Sequence, residues 1–389
     1  MQKNISNSLS YLIIMLCLIS TASCNKPKPP TPSPLPVPVP APVPVWDVNA
    51  LRGAWVTNVA STAMDSRANI KACVTTCKAA GINNIFMVVY NNARTCYPSN
   101  VMDTVVGIKI KESFAGRDPL QEMIEEAHAQ NIKVHAWFEY GFASSYLNNG
   151  GPIIAARPQW AARDVSNNLV VKNDFFWLNA FHPGVQDYMI NLFKEVVTNY
   201  NVDGVQGDDR LPALPTTAGY DTYTVNQYMA ENGTAPPSNH LDAAWIQWRA
   251  KRLNSFLKRL RTAVKTIKPT VQFTMSPSPY PWGLTEYLQD WPTWVDSAWV
   301  DAIIPQCYRY NITDYNNTIN QQKTYYRNPA VPFYPGVLAK VAAYTPEDAF
   351  LKAMIAKNRS VGFKGECFFF YEGIKDKIIF FQNQYPYIP

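Results

Sequence analysis

Asn201-Val202-Asp203-Gly204-Val205-Gln206-Gly207-Asp208-Asp209-Arg210 is a short apolar run that stops abruptly at two adjacent carboxylates. A stretch this short and apolar reads as a buried strand, and parallel α/β sheets keep their chemistry where strands end. Buried carboxylates without partners are costly and usually neutralise themselves by a pKa shift, so an acidic pair at such a place has few purely structural reasons to exist. The run predicts a hydrolase site at the end of a barrel strand.

Outward from this strand, short apolar runs alternate with amphipathic stretches, the pattern of repeated βα units. Strands are expected at 51–57, 84–89, 132–138, 203–208, 270–276, 301–305, 331–337 and 363–370. Helices are expected near 67–80, 118–130, 184–200, 241–267, 285–297, 313–327, 345–358 and 373–383. Eight such units predict a single-domain (β/α)8 TIM barrel in preference to a doubly wound open sheet. The connections after the second, third and fourth strands are long and rich in Tyr, Trp, Asn, Gly and Pro, whereas turns such as Ala80-Gly81-Ile82 are short. Long loops on one face and tight turns on the other mark a catalytic top and a structural bottom.

Strand alternation places Gln206 and Asp208 on one side, which puts Asp208 at the mouth if that side is the interior. Asp209 then reads as a turn or support residue. On the third strand His135, Trp137 and Glu139 share a face, and Glu139 ends the strand among aromatics. Two carboxylates on neighbouring strand ends, about 5 to 10 Å apart, are what glycoside hydrolysis requires. An aromatic wall would raise the pKa of one of them, so that it stays protonated to act as the acid. A structural alternative for Glu139 is an ion pair with Arg52 on the first strand. Glu372, closing the last strand, supplies a third candidate carboxylate, with a cross-barrel hydrogen bond as its structural alternative. Trp177, Tyr220, Tyr280, Trp282, Tyr308, Tyr310 and Tyr371 lie in expected top loops, where flat rings can stack on sugars.

The amino terminus reads differently from the rest. Lys3, the apolar stretch 12–19 and the small residues after it form an export signal over 1–23, too short to anchor as a span. Thr21-Ala22-Ser23-Cys24 resembles a bacterial lipoprotein signal, which would leave Cys24 acylated and the protein membrane-anchored toward the periplasm or cell surface; ordinary cleavage near Ser23 is the alternative. The segment 24–45 is then a proline-rich tether, since prolines from Pro27 to Pro44 favour polyproline II at about 3.1 Å per residue. The folded domain spans 46–389.

After Cys17 and Cys24, five cysteines remain, an odd number that forbids complete pairing; a bridge from Cys73 or Cys77 to Cys96 stays open. His128, His135, His182 and His240 are scattered, so neither metal nor cofactor is expected. The net charge of +6 concentrates in Arg249, Lys251, Arg252, Lys258, Arg259, Arg261, Lys265 and Lys268 on one helix. This reads as the solvated outer face of a barrel helix rather than a surface for nucleic acid or another polyanion.

The chain resembles the glycosyl hydrolase-like 10 family, the bacterial DUF187 group of exported and lipid-anchored barrels. The resemblance rests on Arg52-Gly53-Ala54-Trp55-Val56-Thr57, Asp118-Pro119-Leu120, Val134-His135-Ala136-Trp137-Phe138-Glu139, Trp177-Leu178-Asn179, His182-Pro183, Asp203-Gly204-Val205-Gln206 with Asp208-Asp209, Gly219-Tyr220-Asp221, Ser276-Pro277, Pro305-Gln306-Cys307-Tyr308-Arg309 and Phe368-Phe369-Phe370-Tyr371-Glu372. It implies a carbohydrate-acting hydrolase, with relatives that act on peptidoglycan strands stripped of their stem peptides. Arg52, Trp55, Trp137, Gln206, Gln306 and Arg309 thereby join the aromatics as expected substrate contacts. Gly207 and Arg210 depart from the bulkier residue and the aromatic or histidine usual at those places.

The expected function is a monomeric glycosidase of the cell envelope with Asp208 and Glu139 as its pair, assisted by Asp209 or Glu372. The alternatives are a lipid-anchored, non-catalytic glycan-binding protein, and a metal-dependent deacetylase or esterase in which His135 and Asp208 would share the ion.

Overall fold

Eight short parallel strands organise the computed structural model, which describes residues 50–385. They are β1 (Arg52–Val56), β2 (Asn84–Val88), β3 (Lys133–Phe138), β4 (Gly204–Gly207), β5 (Gln272–Met275), β6 (Ala302–Ile303), β7 (Gly336–Leu338) and β8 (Glu366–Phe369). The hydrogen-bonded order is β6-β5-β4-β3-β2-β1-β8-β7, all parallel. A parallel bridge from Ile303 to Phe333, with Ile303 N donating to Pro332 O at 3.0 Å and Tyr334 N to Ile303 O at 3.0 Å, joins β6 to the chain entering β7. The sheet therefore closes into a (β/α)8 barrel, as the alternating pattern predicts.

The principal helices are α1 (Arg67–Ala79), α2 (Pro119–His128), α3 (Pro183–Asn199), α4 (Ala243–Ile267), α5 (Trp291–Asp296), α6 (Ile312–Tyr325), α7 (Asp348–Ser360) and α8 (Ile378–Gln384). Their starts follow local chemistry: Ser66, Asp118 and Asp242 accept hydrogen bonds from the backbone of the first turn, and Pro119 and Pro183 occupy positions where a missing N–H costs nothing.

The barrel interior explains two sequence choices. His135 on β3 stands opposite Gly204 on β4, and a Cβ at Gly204 would lie 1.9 Å from His135 Nδ1, so only glycine leaves room for the imidazole. The ring stacks on Phe86 at 4.4 Å, and its Nε2 bonds Asn84 Oδ1 at 2.8 Å. One layer higher, Trp55 donates from Nε1 to Gln206 Oε1 at 2.8 Å, and Gln206 Nε2 donates to Thr274 Oγ1 at 3.3 Å. Gln206 thus faces inward, which fixes the parity of the residues that follow it.

Several boundaries differ from expectation. Strand β6 ends before Pro305, and the segment expected as a strand at 331–337 makes one isolated bridge at Phe333 and becomes a continuous strand only from Gly336, because Pro332 and Pro335 have no N–H to give the ladder. The helix expected at 285–297 is two short helices, Trp282–Tyr287 and α5, separated at Leu288, whose φ is 60°. The last expected helix divides into Tyr371–Asp376 and α8, with a non-helical Lys377 between them. Cys73, Cys77, Cys96, Cys307 and Cys367 are all buried free thiols, so the bridge to Cys96 is not formed.

The basic helix also needs correction. Arg249 is fully buried, donating to the carbonyls of Thr216, Ala218 and His240 and lying over the Trp245 ring. Arg252 pairs with Glu231, Arg259 with Asp187, and Arg261 and Lys265 with Asp301. Most of this charge is committed to intramolecular partners. The signal, Cys24 and the tether lie outside the described residues.

Candidate active site

Residues Asp208 to Leu211 form a tight turn directly above β4, with Leu211 N donating to Asp208 O at 3.0 Å. Because Gln206 points inward, Asp208 does too, and it is buried with 2 % exposure. Its Oδ1 accepts from Gln306 Nε2, brought in by the segment after β6, and its main-chain carbonyl accepts from Gln289 Nε2 at 3.3 Å. The break in the expected fifth helix thus lies beside the residue that supports the carboxylate's backbone.

Glu139 reaches the same place from β3. The two loops clasp: Phe142 N donates to Arg210 O at 2.9 Å, and Arg210 Nε donates back to Glu139 O at 3.1 Å. Gly141, at φ +50°, permits this approach, since a Cβ there would sit 2.3 Å from Arg210 O. Glu139 Oε2 also accepts from Asn91 Nδ2 at 3.0 Å, and Asn91 is carried by the hairpin Tyr90–Asn91/Arg94–Thr95 after β2.

Arg210 ties the acidic groups together. Its Nη2 lies 3.4 Å from Asp208 Oδ2 and 3.6 Å from Glu139 Oε1, while Nη1 lies 3.3 Å from Asp209 Oδ1. The Asp209 contact is an ion pair without hydrogen-bond geometry. Since one nitrogen touches both, the nearest oxygens of Asp208 and Glu139 are no more than about 7 Å apart. The guanidinium is seated over the rings of Phe175 (4.8 Å) and Tyr140 (5.3 Å).

Burial is the main force on both carboxyls. It pushes Asp208 well above the ordinary aspartate range, the neighbouring charge of Asp209 adds to this, and Arg210 opposes it. Burial likewise raises Glu139, against Arg210 and the Asn91 hydrogen bond. Arg210 is held firmly protonated: desolvation works against its charge, and the three carboxylates together outweigh that loss. Carboxyls so close share their titration, and the proton belongs to the group.

The floor is aromatic. Trp55 and Trp137 lie 6.3 Å apart, and Tyr308 meets Trp55 edge-on at 6.4 Å. Trp137 Nε1 and Ser276 Oγ are buried without a hydrogen-bond partner among the described residues. Ser276 shares the parity of Thr274, and its N donates to Gly207 O at 2.9 Å, so it stands level with Asp208.

Glu139, Asp208, Asp209 and Gln306 converge here, over Trp55, Trp137, Gln206 and Tyr308. Arg309 follows Tyr308 on the same loop, half-buried. Other candidates lie elsewhere. Arg52 begins β1 at the opposite end of the barrel and donates to Gly81 O, so it forms no pair with Glu139. Glu372 accepts from Ser61 Oγ at 2.7 Å and pairs with Lys375, on the first helix after β8. Tyr371 turns toward Cys73 and Thr76 of α1. Tyr280 packs on Tyr325 of α6, and Tyr220 bonds Pro237 O beside α4. Trp177 is buried against Tyr287, and Trp282 stands exposed on the rim.

Sequence reasoning missed Asn91, Gln289 and the role of Arg210. The only signal for Arg210 is its place directly after two acids, and adjacency does not reveal that its side chain folds back over them. Nothing near Asn91 distinguishes it from its neighbour Asn92.

A closed (β/α)8 barrel with a buried and a half-buried carboxyl at neighbouring strand ends defines a glycoside-hydrolase-like protein. The chain belongs to the glycosyl hydrolase-like 10 family, whose model matches residues 50–352. It is 30% identical over 252 residues to glycosyl hydrolase DigH of Escherichia coli strain K12, covering 59% of this chain and 55% of that protein. Against glycosyl hydrolase YngK of Bacillus subtilis strain 168 it is 24% identical over 336 residues, 76% of this chain and 60% of that protein. The chain thus spans little more than half the length of these relatives. Among solved structures, the PgaB (BpsB) glycoside hydrolase domain of Bordetella bronchiseptica superposes with a TM-score of 0.63 at 13% identity, covering 84% of this chain and 96% of that one. The catalytic domain of β-amylase from Paenibacillus polymyxa gives 0.63 at 9% identity, with 88% and 99% covered. At such identities the likeness is one of fold.

Proposed function

We propose that the protein hydrolyses a polysaccharide of the bacterial cell envelope, with peptidoglycan glycan strands as substrate and Asp208 and Glu139 as the reacting carboxyls. The observation that carries this reading is the pair itself: a buried Asp208 and a half-buried Glu139, both with raised pKa, within about 7 Å and sharing one guanidinium at the mouth of the barrel. With one proton between them, one member can protonate the glycosidic oxygen while the ionised member attacks the sugar or activates water. Arg210 keeps the ionised form available in a site that would otherwise protonate fully. The spacing bound spans the retaining separation of about 5 Å and only the lower edge of the inverting range, near 6.5 Å. Asp209 supports the pair through Arg210. The free Trp137 Nε1 and Ser276 Oγ can bond a sugar on the floor, and exposed Trp282 offers a stacking face on the rim.

The reading extends to a monomeric lipoprotein, acylated at Cys24 and standing off the membrane on its proline-rich tether; labelled palmitate incorporated by the wild type and lost in Cys24→Ala would support the anchor. For the activity, purified protein is incubated with denuded and intact glycan strands. New reducing ends, absent in Asp208→Asn and Glu139→Gln, support the proposal. Saturable glycan binding without any reducing ends would make the protein a non-catalytic glycan binder.

A further inference from the structure

Between α3, α4 and the inserted helix Thr222–Asn232 lies a cup of about 230 Å³, lined by Phe181, Tyr223, Gln227, Trp248, Arg252 and Arg259 among others. It sits on the shoulder of the barrel's catalytic end: α3 begins there, and the inserted helix belongs to the loop that leaves Asp208. The helices forming it follow β3 and β4, the strands that present Glu139 and Asp208.

Three features define what it fits. Pockets for drug-sized ligands start near 300 Å³, so this one has room for about a single ring. The Tyr223 ring packs against His182 at 5.4 Å yet remains 36% exposed, and neither its hydroxyl nor the Gln227 amide has a hydrogen-bond partner among the described residues. An open aromatic face beside unengaged polar groups is the composition that binds a sugar. Charge points the same way: Arg252 is paired with Glu231 and Arg259 with Asp187, so the cup has no uncompensated cation to draw an anion.

We propose that this cup is an accessory binding site for one neutral sugar ring, which would hold a stretch of glycan outside the Glu139–Asp208 centre. The choice of a sugar rests on the glycosidase reading above, but binding here needs no turnover. The test follows the indole N–H resonance of Trp248, which donates to Glu231 Oε2 at 2.8 Å, while the full-length protein is titrated with N-acetylglucosamine, glucose or inorganic phosphate. A saturable shift with at least one sugar is expected, unchanged in Asp208→Asn and weakened at least tenfold in both Tyr223→Ala and Gln227→Ala. A shift with phosphate and neither sugar, no shift with either sugar, or a sugar response that survives both substitutions would overturn it. Because the readout is binding, absence of hydrolysis would sink the enzymatic reading and leave this result standing on its own.

Discussion

Replacing Arg210 by glutamine removes the only cation in contact with Asp208, Asp209 and Glu139 among the described residues. A unit charge at about 3.5 Å contributes roughly 5 kcal/mol per ionised partner at an effective dielectric near 20. Desolvation of the guanidinium cancels much of that, and breaking a buried ion pair typically costs about 3–5 kcal/mol. We predict a loss of about that size in unfolding free energy at pH 7. Both Asp208 and Glu139 titrate above their unfolded values, so their contribution is fully present below the unfolded pKa and is lost as pH rises through the folded one. Without Arg210 this dependence steepens, and the deficit must shrink between pH 7 and pH 5. Adding Asp208→Asn to the Arg210→Gln protein should recover about 1–2 kcal/mol at pH 7, because one of the stranded charges is gone. Urea unfolding of the wild type, Asp208→Asn, Arg210→Gln and the double variant at both pH values measures this. A deficit equal at pH 5 and pH 7, with no recovery in the double variant, would refute the electrostatic account of the site.

Other outcomes follow from the same structure. Asp208→Asn alone should unfold at a higher temperature than the wild type at pH 7, since burial disfavours ionisation of the carboxyl and the amide has no ionised form to suppress; a lower midpoint would mean that Asp208 is chiefly structural. His135 is pushed down to about 4 by burial, so the unfolded chain binds its proton first and stability falls as pH drops from about 6.5 to 4. The loss attributable to this histidine reaches about 3 kcal/mol and should vanish from the stability–pH curve of a folded variant lacking the imidazole. Gly204→Ala should cost about 3 kcal/mol or more through overpacking against His135, measurable as a lower urea midpoint, with smaller residues at 135 relieving it.

The barrel was legible because its evidence is periodic. Each strand's apolar run and each helix's amphipathic face repeat, so errors at 331–337 or 285–297 shift boundaries without disturbing the count of eight. Those errors trace to prolines and to Leu288, where backbone geometry overrides side-chain pattern. Asp208 was legible for a related reason, since Gln206 two residues earlier sets its parity. Arg52 misled because sequence does not say how far along a strand a residue stands: it begins β1 while Glu139 follows the end of β3, so the two occupy opposite ends of the barrel. Arg210 and Asn91 were hidden because their roles depend on loops that meet only in three dimensions, across the close approach at Gly141. Arg249 was misread because its spacing matches the exposed basic residues on its helix, while the loop that buries it lies elsewhere in the chain.

The central claim is that Asp208 and Glu139 share one catalytic proton beside Arg210. The most direct test is the pH dependence of reducing-end release from denuded glycan strands by wild type, Asp208→Asn, Glu139→Gln and Arg210→Gln. Two ionisations should shape the wild-type profile. Each carboxyl variant should lose at least about a hundredfold in rate, and Arg210→Gln should retain activity with its acidic limb moved up by about 1–3 pH units. Unchanged rates in either carboxyl variant, or an Arg210→Gln profile superimposable on that of the wild type, would contradict it.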